Sequence, residues 1–254
     1  MDDLRRPVSG SQLPQVKWKS VGKRVRVDSA LDHLRYRICY RYAPIAEVVA
    51  LLDGRMTFAH PRTWPDQYEH LVNSLFGTEA PFSSCVPYVK CFSLEYSSDA
   101  MWKIYSGPGG LVRVGISLNR LIEQLDSMKF PCNGKIFLGR VRYMRPAALR
   151  NAVASLAKSS PKDAAAHAMQ ALLMKRAGFA FENEIRIAFL PGSEAEVNSE
   201  HVSASGFNPQ RIKRALLDPY LAEWQTDEIR RLFGKLNKSL VVDRSKFDQS
   251  PIEL

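Results

Sequence analysis

The stretch best equipped for chemistry is Phe181-Glu182-Asn183-Glu184-Ile185-Arg186. Read as part of a strand over 181–189, its alternate side chains share a face, so Glu182, Glu184 and Arg186 line one side while Ile185 and Ile187 line the other. The two carboxylates then sit about 6.5–7 Å apart at Cα, and Arg186 helps keep Glu184 ionised. A fixed anion of this kind stabilises positive charge that develops in a transition state. The same residues also describe a solvated strand face that neutralises its own charge. A further assignment adds Asp66 and Glu69, from Asp66-Gln67-Tyr68-Glu69, to make a carboxylate cluster for Mg²⁺ of the hydrolytic nuclease type, with basic surface gripping phosphate. No compact Asp/Glu-plus-Lys signature accompanies it, and Asp66 as a loop or helix cap is the simpler use of that residue.

Other chemistries find less material. His33, His60, His70, His167 and His201 have no ligand-spaced or triad-like companions, and no Gly-x-Ser-x-Gly or Cys/His arrangement points to acyl transfer. Cys39, Cys85, Cys91 and Cys132 lack zinc-ligand spacing and read as reduced structural thiols. Gly107-Pro108-Gly109-Gly110 opens a strand rather than a helix and has no P-loop lysine, so it reads as a turn and not a phosphate cradle.

The elements that would position these residues are short and interleaved. Arg37–Tyr42 is rich in aromatic and branched residues and reads as a strand. Ile45, Val48, Val49 and Leu52 then keep helical spacing up to Asp53-Gly54. Met56–Phe58, Tyr88–Ser93, Leu111–Ile116 and Gly139–Tyr143 read as strands, with Val21–Val27 as a short edge strand. Met101–Tyr105 is a short helix or turn. Ser160-Pro161 starts a long alanine-rich helix that Gly178 closes. Arg214–Leu217 is a strand, a helix capped by Thr226 follows, and Leu240–Val242 closes the set. Strands and helices do not alternate regularly, which points to an α+β fold: a mixed, mainly antiparallel sheet with helices packed on it.

The chain of 254 residues is read as a basic, flexible segment over 1–30 followed by one α+β domain over 31–254. Its net charge of +10 favours polyanionic partners, and the basic clusters are spread over 17–26, 140–150, 211–214 and 230–238. No apolar run is long enough for a membrane span, so a cytoplasmic location is expected, with export into a host cell as the open alternative.

Several phrases taken in order resemble one bacterial family, domain of unknown function 2971. These are Tyr40-Arg41-Tyr42, the run from Gly54 to Pro61, Trp64-Pro65-Asp66-Gln67-Tyr68-Glu69, Cys91-Phe92-Ser93, Met101-Trp102-Lys103-Ile104-Tyr105, and the Glu182–Arg186 strand. The loop replaces the family's Asn and Pro, and the His or Asn before the Tyr of the Met-Trp phrase is missing. The resemblance spans roughly 36–245 and carries no activity by itself. The Glu-x-Glu strand also resembles that of the ADP-ribosyltransferases, which implies a core of that kind. That resemblance casts Glu184 as the anion beside the ribose of NAD and Glu182 as the group that orients or deprotonates the acceptor. Arg41, with Tyr42 beside it, would contact the NAD phosphates or ribose. Ser93 would follow on the next strand, and Trp102 or Tyr105 would stack on nicotinamide. The expectation is an NAD-consuming transferase acting on a protein or nucleic acid in a defence, toxin or effector setting, with no obligate metal. The alternatives are the Mg²⁺ nuclease and a non-enzymatic basic module that binds nucleic acid or an acidic protein.

Overall fold

A computed structural model describes residues 16–64, 66, 69, 72, 74–76, 87–96, 98–107, 109–158, 164–192 and 199–246. In chain order the first half holds β1 (Trp18–Val21), β2 (Val25–Asp28), β3 (Ile38–Pro44), α1 (Ile45–Leu52), β4 (Arg55–Ala59), β5 (Tyr88–Ser93), α2 (Asp99–Tyr105), β6 (Leu111–Ser117) and α3 (Leu118–Leu125). The second half holds β7 (Gly134–Arg140), β8 (Arg142–Met144), α4 (Pro146–Lys158), α5 (Ala164–Leu172), β9 (Met174–Arg176), β10 (Glu184–Pro191), β11 (His201–Ser205), β12 (Arg214–Leu217), α6 (Glu223–Leu236) and β13 (Val241–Arg244). The fold is α+β with a mixed, mainly antiparallel sheet. β2 pairs with β7, β12 with β13 and β8 with β9 in parallel.

The chain divides into two compact units, 1–35 with 58–91 and 130–203, and 36–57 with 92–129 and 204–254. In the first unit the strands run β1-β2-β7-β10-β5. One face of that sheet carries Phe137, Ala188 and Leu190 into a buried cluster. Leu149, Ala152, Val153 and Leu156 of α4, and Met169 and Leu172 of α5, cover it. The α4 residues recur at helical spacing, so one stripe is apolar, and Pro146 starts the helix where its missing N–H costs nothing. Each such large side chain, fully buried, contributes roughly 1.5–3 kcal/mol. Close approach of β7 to β10 needs Gly134, where a Cβ would lie 2.4 Å from the Leu190 carbonyl oxygen.

In the second unit the order is β3-β6-β12-β13. Helix α1 packs on α6; α1 buries Val48, Leu51 and Leu52, and α6 buries Ile229 and Phe233.

Three local expectations are revised. The segment 21–27 is not one strand. Gly22, at φ +72°, turns the chain between β1 and β2, giving a hairpin with Val21 opposite Val25. The alanine-rich helix ends at Leu172, well before Gly178, because β9 forms and pairs with β8; its proposed start at Ser160-Pro161 lies outside the described residues. The α6 helix begins three residues before Thr226: the Ala222 amide donates to the Gln225 side chain (3.0 Å), and Thr226 is buried inside the helix.

Candidate functional site

In the first unit a buried ion cluster forms where β10 begins. A 3₁₀ turn over Ala177–Glu182 ends at Asn183, whose left-handed conformation (φ 45°) releases the chain into the strand. Glu182 therefore lies on the turn, not on the strand as the alternating pattern implies. Asn183 is tied down by Arg140 (Nη2 to Oδ1, 2.9 Å), and the Glu184 amide donates to the Tyr143 hydroxyl at 2.8 Å.

The carboxylates still converge, but through a lysine. The Arg186 guanidinium grips Glu184 with Nε to Oε1 at 3.0 Å and Nη2 to Oε2 at 3.1 Å. Lys175 Nζ donates to Glu182 at 2.6 Å and to Glu184 at 3.3 Å. Arg186 Nη2 also donates to Glu69, while Nη1 caps the last turn of α5 at the Leu172 carbonyl (2.7 Å). The Trp64 ring lies 4.4 Å from the Arg186 guanidinium, and Phe179 covers the Lys175 ammonium at 4.6 Å. Glu69, Glu182, Glu184, Lys175 and Arg186 are all buried, Glu184 with 5% of its surface exposed. Among the described residues, three carboxylates meet two cations here, one net negative charge.

Burial by itself raises the Glu184 carboxyl, but the charges of Arg186 and Lys175 and the hydrogen bonds from Arg186 and Cys91 outweigh it and hold the group below the usual glutamate range. Burial likewise pulls Lys175 down, yet Glu184 and, against the push of Arg186, Glu69 and Glu182 raise it above the ordinary lysine value. Glu184 is thus a fixed anion and Lys175 a fixed cation. Lys175 escaped the sequence reading because it sits in what looks like continuous alanine-rich helix. The adjacent Lys175-Arg176 pair was the available signal. Asp66, for its part, is bound by Arg176 at 3.2 Å. Arg176, Arg186 and Lys175 engage all four of these carboxylates, and among the described residues no acidic group is arranged to hold a metal ion.

The residues expected to bind nucleotide lie in the second unit, and the sheet divides them. Ser93 stands opposite Tyr40, and Tyr42 opposite Arg113, so Tyr40, Tyr42, Ser93 and Arg113 share a face. Arg41 alternates to the other face, where it makes a bidentate bond to Glu47 of α1 (2.8 Å for each contact). The cation on the Ser93 face is Arg113 instead, held over the rings of Tyr40 (4.8 Å) and Tyr96 (4.9 Å) and donating to the Tyr96 carbonyl. Trp102 is fully buried, edge-on to Tyr42 at 4.9 Å, so its indole offers no open face to a ligand. Tyr105, at the end of α2, is 41% exposed. The Ser93 hydroxyl accepts the Glu95 amide at 2.9 Å. Cys39 is an inert thiol, which burial pushes up to about 12.

No protein-family model matches the chain, the bacterial family suggested by its sequence phrases included, and no curated protein sequence matches it. Among solved structures it is similar to Thermus sp. 2.9 DarT in complex with carba-NAD⁺, at 11% identity over 83% of this chain and 96% of that one, with a TM-score of 0.35. It is also similar to the same protein in complex with ADP-ribosylated ssDNA, at 12% identity over 83% of this chain and 95% of that one, with a TM-score of 0.36. The functional reading rests on the residues themselves.

Proposed function

We propose that the protein is an ADP-ribosyltransferase that consumes NAD and modifies a macromolecule. The observation that carries this is Glu184: an ionised carboxylate fixed at a strand start, in a cluster with one surplus negative charge among its described members. In such a reaction the bond between the nicotinamide nitrogen and ribose C1′ breaks, and nicotinamide leaves with the bonding pair. Positive charge gathers at C1′ and the ring oxygen until an acceptor oxygen or nitrogen bonds there and gives up its proton. Glu184 is the anion that stabilises that charge, and Glu182 orients or deprotonates the acceptor.

The test is nicotinamide release from NAD by wild type and Glu184→Gln. Loss of one such electrostatic contact lowers kcat by about 10²–10³, so folded Glu184→Gln should fall that far. No release by wild type, or full release by Glu184→Gln, would end the proposal. The grip of Arg186 and Lys175 on Glu184 favours one competing reading, a purely structural keystone. On that reading Glu184→Gln loses stability and the wild type consumes no NAD.

A further inference from the structure

We infer that His60 is an acid-sensitive latch on the segment that reaches the Glu184 cluster: on taking up a proton, it releases the turn that holds Trp64 against Arg186. A 3₁₀ turn over Pro61–Thr63 follows β4, and His60 caps it. Pro61 has no N–H to give, so the first amide that needs a partner is that of Arg62. It donates to His60 Nδ1 at 3.0 Å. The Thr63 hydroxyl and amide both return to the His60 carbonyl, at 2.9 and 3.0 Å, and the Trp64 amide donates to the Pro61 carbonyl at 3.0 Å. The chain leaves this turn at Trp64, whose ring lies against Arg186, and goes on to Asp66 and Glu69, which Arg176 and Arg186 bind.

The same turn occurs a second time in this chain with a different cap. Over Pro209–Arg211, Asn208 Oδ1 accepts the Gln210 amide at 3.0 Å, and the Arg211 and Ile212 amides donate to the Asn208 and Pro209 carbonyls at 3.1 and 3.0 Å. An asparagine accepts at every pH, which is all that a structural cap requires. An imidazole accepts only while neutral, and an accepting Nδ1 puts the ring's one proton on Nε2. A second proton goes to Nδ1, where its N–H would meet the Arg62 N–H with no acceptor between them, so the cap opens. The surroundings keep the ring neutral at rest. Burial first, and then the Arg62 charge, lower its pKa. The Tyr88 ring of β5 meets it edge-on at 5.8 Å, with the hydroxyl already bound to the Ser199 carbonyl. Just before β11, the Glu200 carbonyl takes the His60 amide at 2.8 Å, while Glu200 and His201 themselves are exposed. The latch is therefore shut at neutral pH and opens in acid while Glu184 stays ionised. It stands apart from the proposed NAD chemistry, since its opening needs neither NAD nor turnover.

The experiment is NMR on the ¹⁵N-labelled whole chain from about pH 8 to about pH 5, a range that brackets the ordinary histidine value. It follows the His60 imidazole, the Arg62 amide and the Trp64 indole N–H. The imidazole is identified by its loss in His60→Asn and the indole by its loss in Trp64→Phe. At the alkaline end the His60 ring should show the Nε2–H tautomer. On acidification the Arg62 and Trp64 signals should move together with the imidazole, with one midpoint below the ordinary value of about 6.5 and about nine-tenths of the change complete one pH unit beyond it. In His60→Asn, which reproduces the Asn208 cap, both signals should keep the wild type's neutral position throughout. In His60→Ala, which has no cap, both should sit near the acid position from the start. A neutral ring protonated on Nδ1, a Trp64 signal that ignores the His60 titration, or one that moves as far in His60→Asn as in wild type would overturn the inference.

Discussion

Removing charges one at a time from the Glu184 cluster should destabilise the protein by very unequal amounts. Lys175→Met takes a cation from a site that already carries an excess of carboxylate, leaving Glu182 and Glu184 without their 2.6 and 3.3 Å contacts. The cluster then holds three carboxylates against Arg186 alone, and stripping one partner from a buried ion pair costs about 3–5 kcal/mol. Glu69→Gln does the reverse. It keeps an oxygen for Arg186 Nη2, leaves the bidentate Glu184–Arg186 bond intact, and balances two carboxylates with two cations. Its cost should stay within the roughly 0.5–1.5 kcal/mol of an ordinary hydrogen bond. Urea unfolding at pH 7 measures both, with an unchanged m-value showing that the same surface is exposed. In thermal melts the lysine variant should fall by roughly 6–20 °C, at about 2–4 °C per kcal/mol for a chain of this size. The double variant should cost less than the sum of the singles, because Glu69 is one of the carboxylates Lys175 offsets. Equal costs for the two single variants, or a larger one for Glu69→Gln, would refute the charge-imbalance reasoning.

Stability should show a plateau in pH with both edges set by this cluster. Glu184 is depressed in the folded state, so its contribution is complete above the ordinary glutamate pKa of about 4.3 and fades as pH falls below it. Lys175 is raised, so its contribution is complete below about pH 10.4 and is lost as pH rises beyond that; a melting temperature that climbs on acidification from pH 5 to 3 would contradict the first edge. Gly134→Ala places a methyl against the Leu190 carbonyl and should cost about 1–3 kcal/mol in a denaturant melt, with a neutral result showing that β7 and β10 can separate there. Arg113→Gln removes the cation between Tyr40 and Tyr96 and the bond to the Tyr96 carbonyl, so limited proteolysis should cut near 94–98 faster than in wild type. An unchanged digestion pattern would mean that Arg113 does not secure that segment.

The sequence disclosed the elements whose pattern is local. The aromatic and branched run around Tyr40, the helical spacing of Ile45 to Leu52, and the acidic strand all lie where periodicity placed them, give or take their ends. Glu69 and Glu184 also proved to share a site, though held by arginine and lysine and not arranged for a metal. What stayed hidden depends on conformations without a periodic signature. One left-handed residue, Asn183, moves Glu182 off the strand, and β9 breaks an alanine-rich stretch whose composition reads as continuous helix. Facing was hidden too. Arg41 and Ser93 sit in the expected order, but a one-residue step in register separates their faces and brings Arg113, which no motif marked, to the Ser93 side.

The proposed chemistry is tested most directly by mass spectrometry of acceptors after incubation with NAD. Intact protein and single-stranded oligonucleotides should be examined with wild type and with a Glu184→Gln sample whose melt shows a folded state. Wild type should add the mass of one ADP-ribosyl group to an acceptor and release an equal amount of nicotinamide, and Glu184→Gln should do neither at a comparable rate. Folded wild type that leaves NAD untouched across protein and nucleic-acid acceptors would contradict the assignment and leave Glu184 as a structural anion.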